Sequence, residues 1–129
     1  MFGLRGRGAP LVASQARPLL SLAGRKVIPL ICYEAFSRTT ALRGRDAGGE
    51  LLAVLASDLP LAGSRFAIDQ TIGGVVLRAA ELHMPAVRAS LGGVAVVVSS
   101  DGRVLARSAP GERGILTLSP RPRMAEARP

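Results

Sequence analysis

The sequence is short of several residue types, and each shortage closes a class of explanation. Cys32 is the only cysteine, which excludes a disulfide within the chain and leaves the redox compartment open. Tryptophan is absent, and three Phe and one Tyr are all the aromatics available for stacking. No RNA-binding or helix-turn-helix signature accompanies the net charge of +8, so basic nucleic-acid binding is only an alternative reading, one that a salt-dependent gel shift tests. Lys26 is the sole lysine, and the arginines are spread along the whole length with no block of like charge. Such a balance speaks to association and not to fold. No apolar window reaches the roughly 18 residues of a membrane span, because Arg88 interrupts Met84 to Val98. The start, Met1 to Arg7, carries charge without a following apolar run, which excludes a secretory signal and makes a soluble cytoplasmic chain the expectation. Neither a cofactor nor a metal is expected.

What is present suits one globular domain: 129 residues, 48% apolar and 20% charged. The chain is organised around Lys26 to Phe36, K-V-I-P-L-I-C-Y-E-A-F. The apolar run Val27, Ile28, Leu30 and Ile31 predicts a strand buried on both faces, against which Pro29 argues as a poor member of a fully paired central strand. Cys32 ends the run and Glu34 follows. A thiol at a strand-to-helix corner is thrust out of the sheet, where backbone N–H groups can face a developing oxyanion.

The remaining elements follow from period and punctuation. Residues 1–24 hold Pro10 and Pro18 and lead into the domain, with a short strand at Leu19 to Leu22. A helix is predicted from about Ser37 to Arg45, closed by Gly48-Gly49, and a second buried strand from Glu50 to Ser57. Asp58 to Gly63 is a loop. Ser64 is an N-cap for a helix to about His83, whose core stripe is Ile68, Ile72, Val75, Val76, Ala79 and Leu82. Gly73-Gly74 in its middle cost about 1 kcal/mol each relative to Ala, which predicts a kink or close packing. Pro85 to Leu91 is a strand. Val94 to Val98 and Arg103 to Ala106 form a hairpin about Asp101-Gly102, Gly114 to Leu118 is a last strand, and 120–129 is a flexible tail.

L-I-C-Y-E-A-F resembles the nucleophile motif of the nitrilase (carbon-nitrogen hydrolase) superfamily, most of all its apolipoprotein N-acyltransferase and conjugal-transfer (TraB-like) branches. The likeness continues in order. Leu51 to Asp58 resembles the next strand and its polar exit, and Leu77-Arg78-Ala79-Ala80-Glu81 the R-A-x-E helix. Pro85 to Ala89 resembles the following strand, and Gly92 to Val97 with Ser100 to Leu105 the closing hairpin. The resemblance implies an α/β (α+β) fold, here the C-terminal part of an α-β-β-α sandwich within residues 25–119. It implies an enzyme in which a cysteine attacks an amide or acyl carbon, forming a thioester that water or an amine resolves.

By that resemblance Cys32 is the nucleophile, the Tyr33 N–H faces the oxyanion, and Glu34 is the C-x-E glutamate of the acyltransferase branch. From the residues alone, Glu34 is equally a carboxylate at a helix start. Arg78 and Glu81, three apart on one helical face, read as a structural bridge or as substrate-adjacent. A cysteine with a pKa near about 8.5 needs a neighbour to activate it. The family places a glutamate and a lysine for this upstream, yet no acid precedes Cys32 here, and Lys26 lies roughly 20 Å away at about 3.3 Å per strand residue. His83 is the other candidate base, with a helix-end structural histidine the commoner case. The loop after Ser57-Asp58 lacks the aromatics of the acyltransferase's S-N-D-x-W-F-like run. The expectation is therefore the nucleophile half of an active site, without turnover by itself and prone to self-association or to pairing with a companion chain. The rival is a non-catalytic interaction module of the same fold.

Overall fold

The computed structural model describes residues 19–61 and 63–118. The leading segment before Leu19 and the tail at 120–129 lie outside the described residues. Six strands form one sheet in chain order: β1 (Leu20–Leu22), β2 (Arg25–Ile31), β3 (Leu51–Ser57), β4 (Ala86–Leu91), β5 (Val96–Val98) and β6 (Val104–Arg107). β2, β3 and β4 run parallel, while β1, β5 and β6 join antiparallel at the two sides. Helix α1 (Arg38–Asp46) connects β2 to β3, and α2 (Arg65–Leu82) connects β3 to β4. Right-handed crossovers that step the same way across a sheet lay both helices on one face.

That face is the core. Even-numbered residues of the parallel strands point into it, and Ile28, Leu30, Leu52, Val54 and Ala86 are all buried, packed with Ala41 of α1 and Ile68, Ile72, Val75, Ala79 and Leu82 of α2. Full burial of a side chain such as Leu52 contributes about 1.5–3 kcal/mol. The α2 stripe matches the period read from the sequence, except that Val76 is only partly buried at its margin. α1 sits close to the sheet because Gly44 and Gly49 leave room: a Cβ on either would fall 2.5 or 2.3 Å from a carbon of Ile28. Its C-terminus closes in a Schellman arrangement, with Gly48 (φ +91°) donating to Arg45 O and Gly49 to Gly44 O. Ser37 and Ser64 cap the two helices, accepting from Thr40 N and Ala67 N.

One expectation needs refining and one correcting. β2 is an interior strand despite Pro29, although, as Pro29 implied, it is not fully paired: β1 pairs only with Arg25 to Val27. The Lys26 carbonyl accepts from Glu50 N–H, so even-numbered residues of β2 hydrogen-bond towards β3 and odd-numbered ones towards β1. Pro29 thus turns its missing donor to the side of β1, beyond the last β1 pair at Leu20↔Val27. Gly114 to Leu118 is not a strand; Ile115 is 91% exposed, and the segment finds no ladder partner among the described residues. The hairpin forms as expected, tightened by an i to i+3 bond from Gly102 N to Ser99 O, with Gly102 left-handed (φ +84°) and a register shift at Val97/Val98.

Candidate active site

Parallel strands deliver their C-terminal ends to one edge of the sheet, and open α/β sheets place their sites there. β2 ends at Ile31, and Cys32 opens a 3-10 turn over Cys32–Phe36 with a left-handed backbone, φ +50°. A non-glycine residue in that region costs of order 1 kcal/mol or more and persists only where its surroundings fix it. Glu34 bridges the turn about it, its Oε2 accepting from Ile31 N–H at 2.7 Å. Cys32 is exposed. The N–H groups of Cys32 and Tyr33 fall in the first turn of a helical segment, where there is no intrahelical acceptor.

A pocket of about 80 Å³ opens beside the thiol. Its walls include Cys32, Phe36, Val54, Leu61, Asp58 and Arg88. Phe36 reaches α2, where a Cβ on Gly74 would lie 2.7 Å from the ring, so Gly74 is the close-packing glycine; Gly73 has open space about it. Tyr33 lies 5.9 Å from Phe36, ring centre to ring centre, and is 69% exposed.

At the pocket's end lies a buried ion pair whose role the sequence did not disclose. Arg88 on β4 donates to Asp58 Oδ1 at 2.6 Å, to Val94 O at 2.6 Å and to Thr71 Oγ1 at 3.1 Å. Both side chains are almost completely buried. Burial alone pushes the Asp58 carboxyl up, but the hydrogen bonds and charge about it, those of Arg88 foremost, hold it below the usual carboxylate range. An apolar-flanked arginine at an even position of β4 and an acid at the end of β3 were the available signals, though nothing in a linear pattern pairs residues thirty positions apart.

The other predicted residues fall elsewhere. Arg78 and Glu81 do pair, and Glu81 also binds Arg38, so this bridge ties α2 to α1. His83 caps the C-terminus of α2 with a left-handed backbone, φ +50°, and is exposed ahead of β4. Lys26 likewise lies at the start of β2. Both occupy the sheet edge opposite Cys32, a strand's length away. Among the described residues, no group of three or more His, Cys, Asp or Glu is arranged to hold a metal ion, and no helix is long and apolar enough to cross a membrane.

A mixed sheet with two crossover helices on one face and an exposed cysteine at the strand exit is what this chain shares with nitrilase (carbon-nitrogen hydrolase) superfamily proteins, to a part of which it is similar in sequence and in fold. It is 34% identical over 101 residues to an apolipoprotein N-acyltransferase of Shewanella oneidensis, covering 78% of this chain and 19% of that protein. Among solved structures, an amidase from Nesterenkonia superposes with a TM-score of 0.64 at 25% identity, covering 88% of this chain and 44% of the amidase. A glutamate-to-glutamine mutant of the same amidase, matched with a TM-score of 0.64 at 25% identity over 81% of this chain and 42% of its own, carries acrylamide added to its active-site cysteine. This chain therefore spans about a fifth of the curated relative and less than half of the amidase. No family model matches.

Proposed function

We infer that this chain supplies the nucleophile half of a carbon-nitrogen hydrolase or N-acyltransferase-like active site, with Cys32 as the nucleophile. The observation that carries this is the exposed, left-handed Cys32 at the exit of β2, opening onto a pocket in a fold shared with an amidase that reacts through its cysteine. In the proposed step the Cys32 sulfur bonds to the carbonyl carbon of an amide or acyl ester. The carbonyl oxygen gains negative charge facing the Tyr33 N–H. The amine or alcohol then leaves with a proton, and the thioester passes its acyl group to water or to an amine. Glu34 holds the turn from which the sulfur projects.

By this reading the proton acceptor and the second oxyanion donor are supplied from outside the described residues. Among the described residues Lys26 and His83 stand at the wrong edge, and Glu34 is engaged with Ile31 N–H. The uncovered sheet face, with Ile31, Leu55 and Leu91 half exposed or more, supports a partner layer from a longer chain or a companion. That same surface is what a purely interacting module would use, and the two readings part at the thiol. The experiment is hydrolysis of small amides and esters by the protein extended with whatever sequence its gene encodes upstream, beside its Cys32→Ala variant. Activity that vanishes with Cys32 is expected from the extended protein, and none from the 129 residues alone. Equal activity in the Cys32→Ala protein overturns the reading.

A further inference from the structure

The Arg88–Asp58 pair has no part in the chemistry just described, yet both residues line the Cys32 pocket. The pair joins four separate pieces of chain. Asp58 lies between β3 and the turn Leu59–Leu61, Thr71 belongs to α2, Arg88 to β4, and Val94 to the segment after Gly92-Gly93. The turn is held further: Asp58 N–H donates to Leu91 O, and Leu61 N–H donates to Asp58 O. Neither Gly92 nor Gly93 has space for a Cβ, which would fall 2.4 Å from Leu59 Cδ2 and 1.8 Å from Asp58 Oδ2. Pro60 and Leu61 of this turn are pocket wall.

Stability is a poor reason for such a pair. Two buried charges repay their desolvation only when every remaining lone pair is satisfied, and well-packed apolar residues often do as well or better. Asp58 Oδ2 is buried with no hydrogen-bond partner among the described residues. Direction is what the pair adds. A guanidinium spends its rigid fork on three fixed acceptors, which an apolar pair cannot specify.

We propose that Arg88 and Asp58 are positioning residues for the Cys32 pocket, pinning the Asp58–Leu61 turn against α2 and β4 so that the wall beside the thiol keeps one shape and retains a small uncharged amide. This rests on the reading of Cys32 as the reacting thiol, and its test needs no turnover. Acrylamide is the probe: the sulfur bonds to its terminal alkene carbon and a proton goes to the neighbouring carbon. Cys32 alkylation of the purified chain is followed by intact mass at rising acrylamide concentration. The parent rate saturates. In the double variant Asp58→Leu, Arg88→Met the melting midpoint stays at or above the parent's. Its half-saturating concentration rises about tenfold or more while the limiting rate stays within about threefold. A folded double variant with unchanged half-saturation overturns the proposal, as does a parent rate that climbs linearly without saturating. If the double variant does not fold, Asp58→Asn decides: a several-fold rise in half-saturation supports the pair's role and no change overturns it. Acrylamide retention that depends on the pair, in a protein whose hydrolysis is absent or independent of Cys32, leaves this inference standing and removes the hydrolase reading. Cys32-dependent hydrolysis whose KM ignores the pair does the reverse.

Discussion

On the helix-covered face of the sheet Leu52 and Val54 are 0% and 2% exposed, whereas Leu55, the next residue along, is 51% exposed on the other face. The row through Leu55 pairs it in register with Ile31 on one side and Ala89 on the other, and Leu91 follows on the same face. Both faces carry aliphatic side chains, so composition does not distinguish them. What differs is cover: α1 and α2 close one face, and among the described residues no layer closes the other. A sheet that is apolar on both faces is made to be buried on both. The chain matches 44% of the amidase, and the uncovered face supports the partner layer proposed above.

The two faces should respond unequally to the same substitution. Leu52→Ala opens a cavity in a closed core and should cost about 2–5 kcal/mol in urea unfolding, while Leu55→Ala should cost less than about 1 kcal/mol. Equal losses would mean that both faces are covered in solution.

The ion pair on the covered side makes that side sensitive to acid. Asp58 titrates lower in the folded chain than its ordinary value of 3.8. Its contribution is therefore fully present above that value and lost as pH falls through the lower, folded value. Between about pH 5 and about pH 3 the parent should lose more unfolding free energy than Asp58→Asn, which has no such carboxyl to protonate. Parallel pH curves would show that the pair is not formed.

Within α2 the neighbouring glycines divide the same way. Gly73→Ala, in open space, should raise stability by about 1 kcal/mol through helix propensity. Gly74→Ala should forfeit that gain against Phe36, and thermal melts of the two variants should differ by that amount. The smallest effect on stability belongs to the uncovered face. Leu55→Lys with Leu91→Lys should change unfolding within about 0.5 kcal/mol each, yet shift light scattering from associated species towards monomer.

Local signals were legible where a single stretch decides its own conformation. The run Val27 to Ile31, the Ser64 cap, the α2 stripe and the Asp101-Gly102 turn each carry their period or punctuation within a few residues. Pro29 argued against full pairing, and β2 is indeed unpaired there on its β1 side; that the strand is interior all the same depends on where β1 stops. Gly114 to Leu118 has strand-like residues, but a strand requires a partner, which no run of side chains supplies. Cys32 was singled out through the ordered likeness to a family, and its position at the exit of β2 makes it the candidate on which the proposal rests. Arg88, Asp58 and the seat of Phe36 on Gly74 were not, since each depends on contacts between distant segments. Glu34 was readable two ways, and what the fold adds is its bond from Ile31 N–H, a contact between residues close in sequence.

The central claim is that Cys32 is a competent nucleophile lacking its proton acceptor within these residues. Intact-mass analysis of the 129-residue chain treated with an activated small acyl ester tests it most directly. One acyl group per chain should appear, be absent in Cys32→Ala and persist without repeated product release. Sustained Cys32-dependent turnover, or an adduct that survives the loss of Cys32, would contradict it.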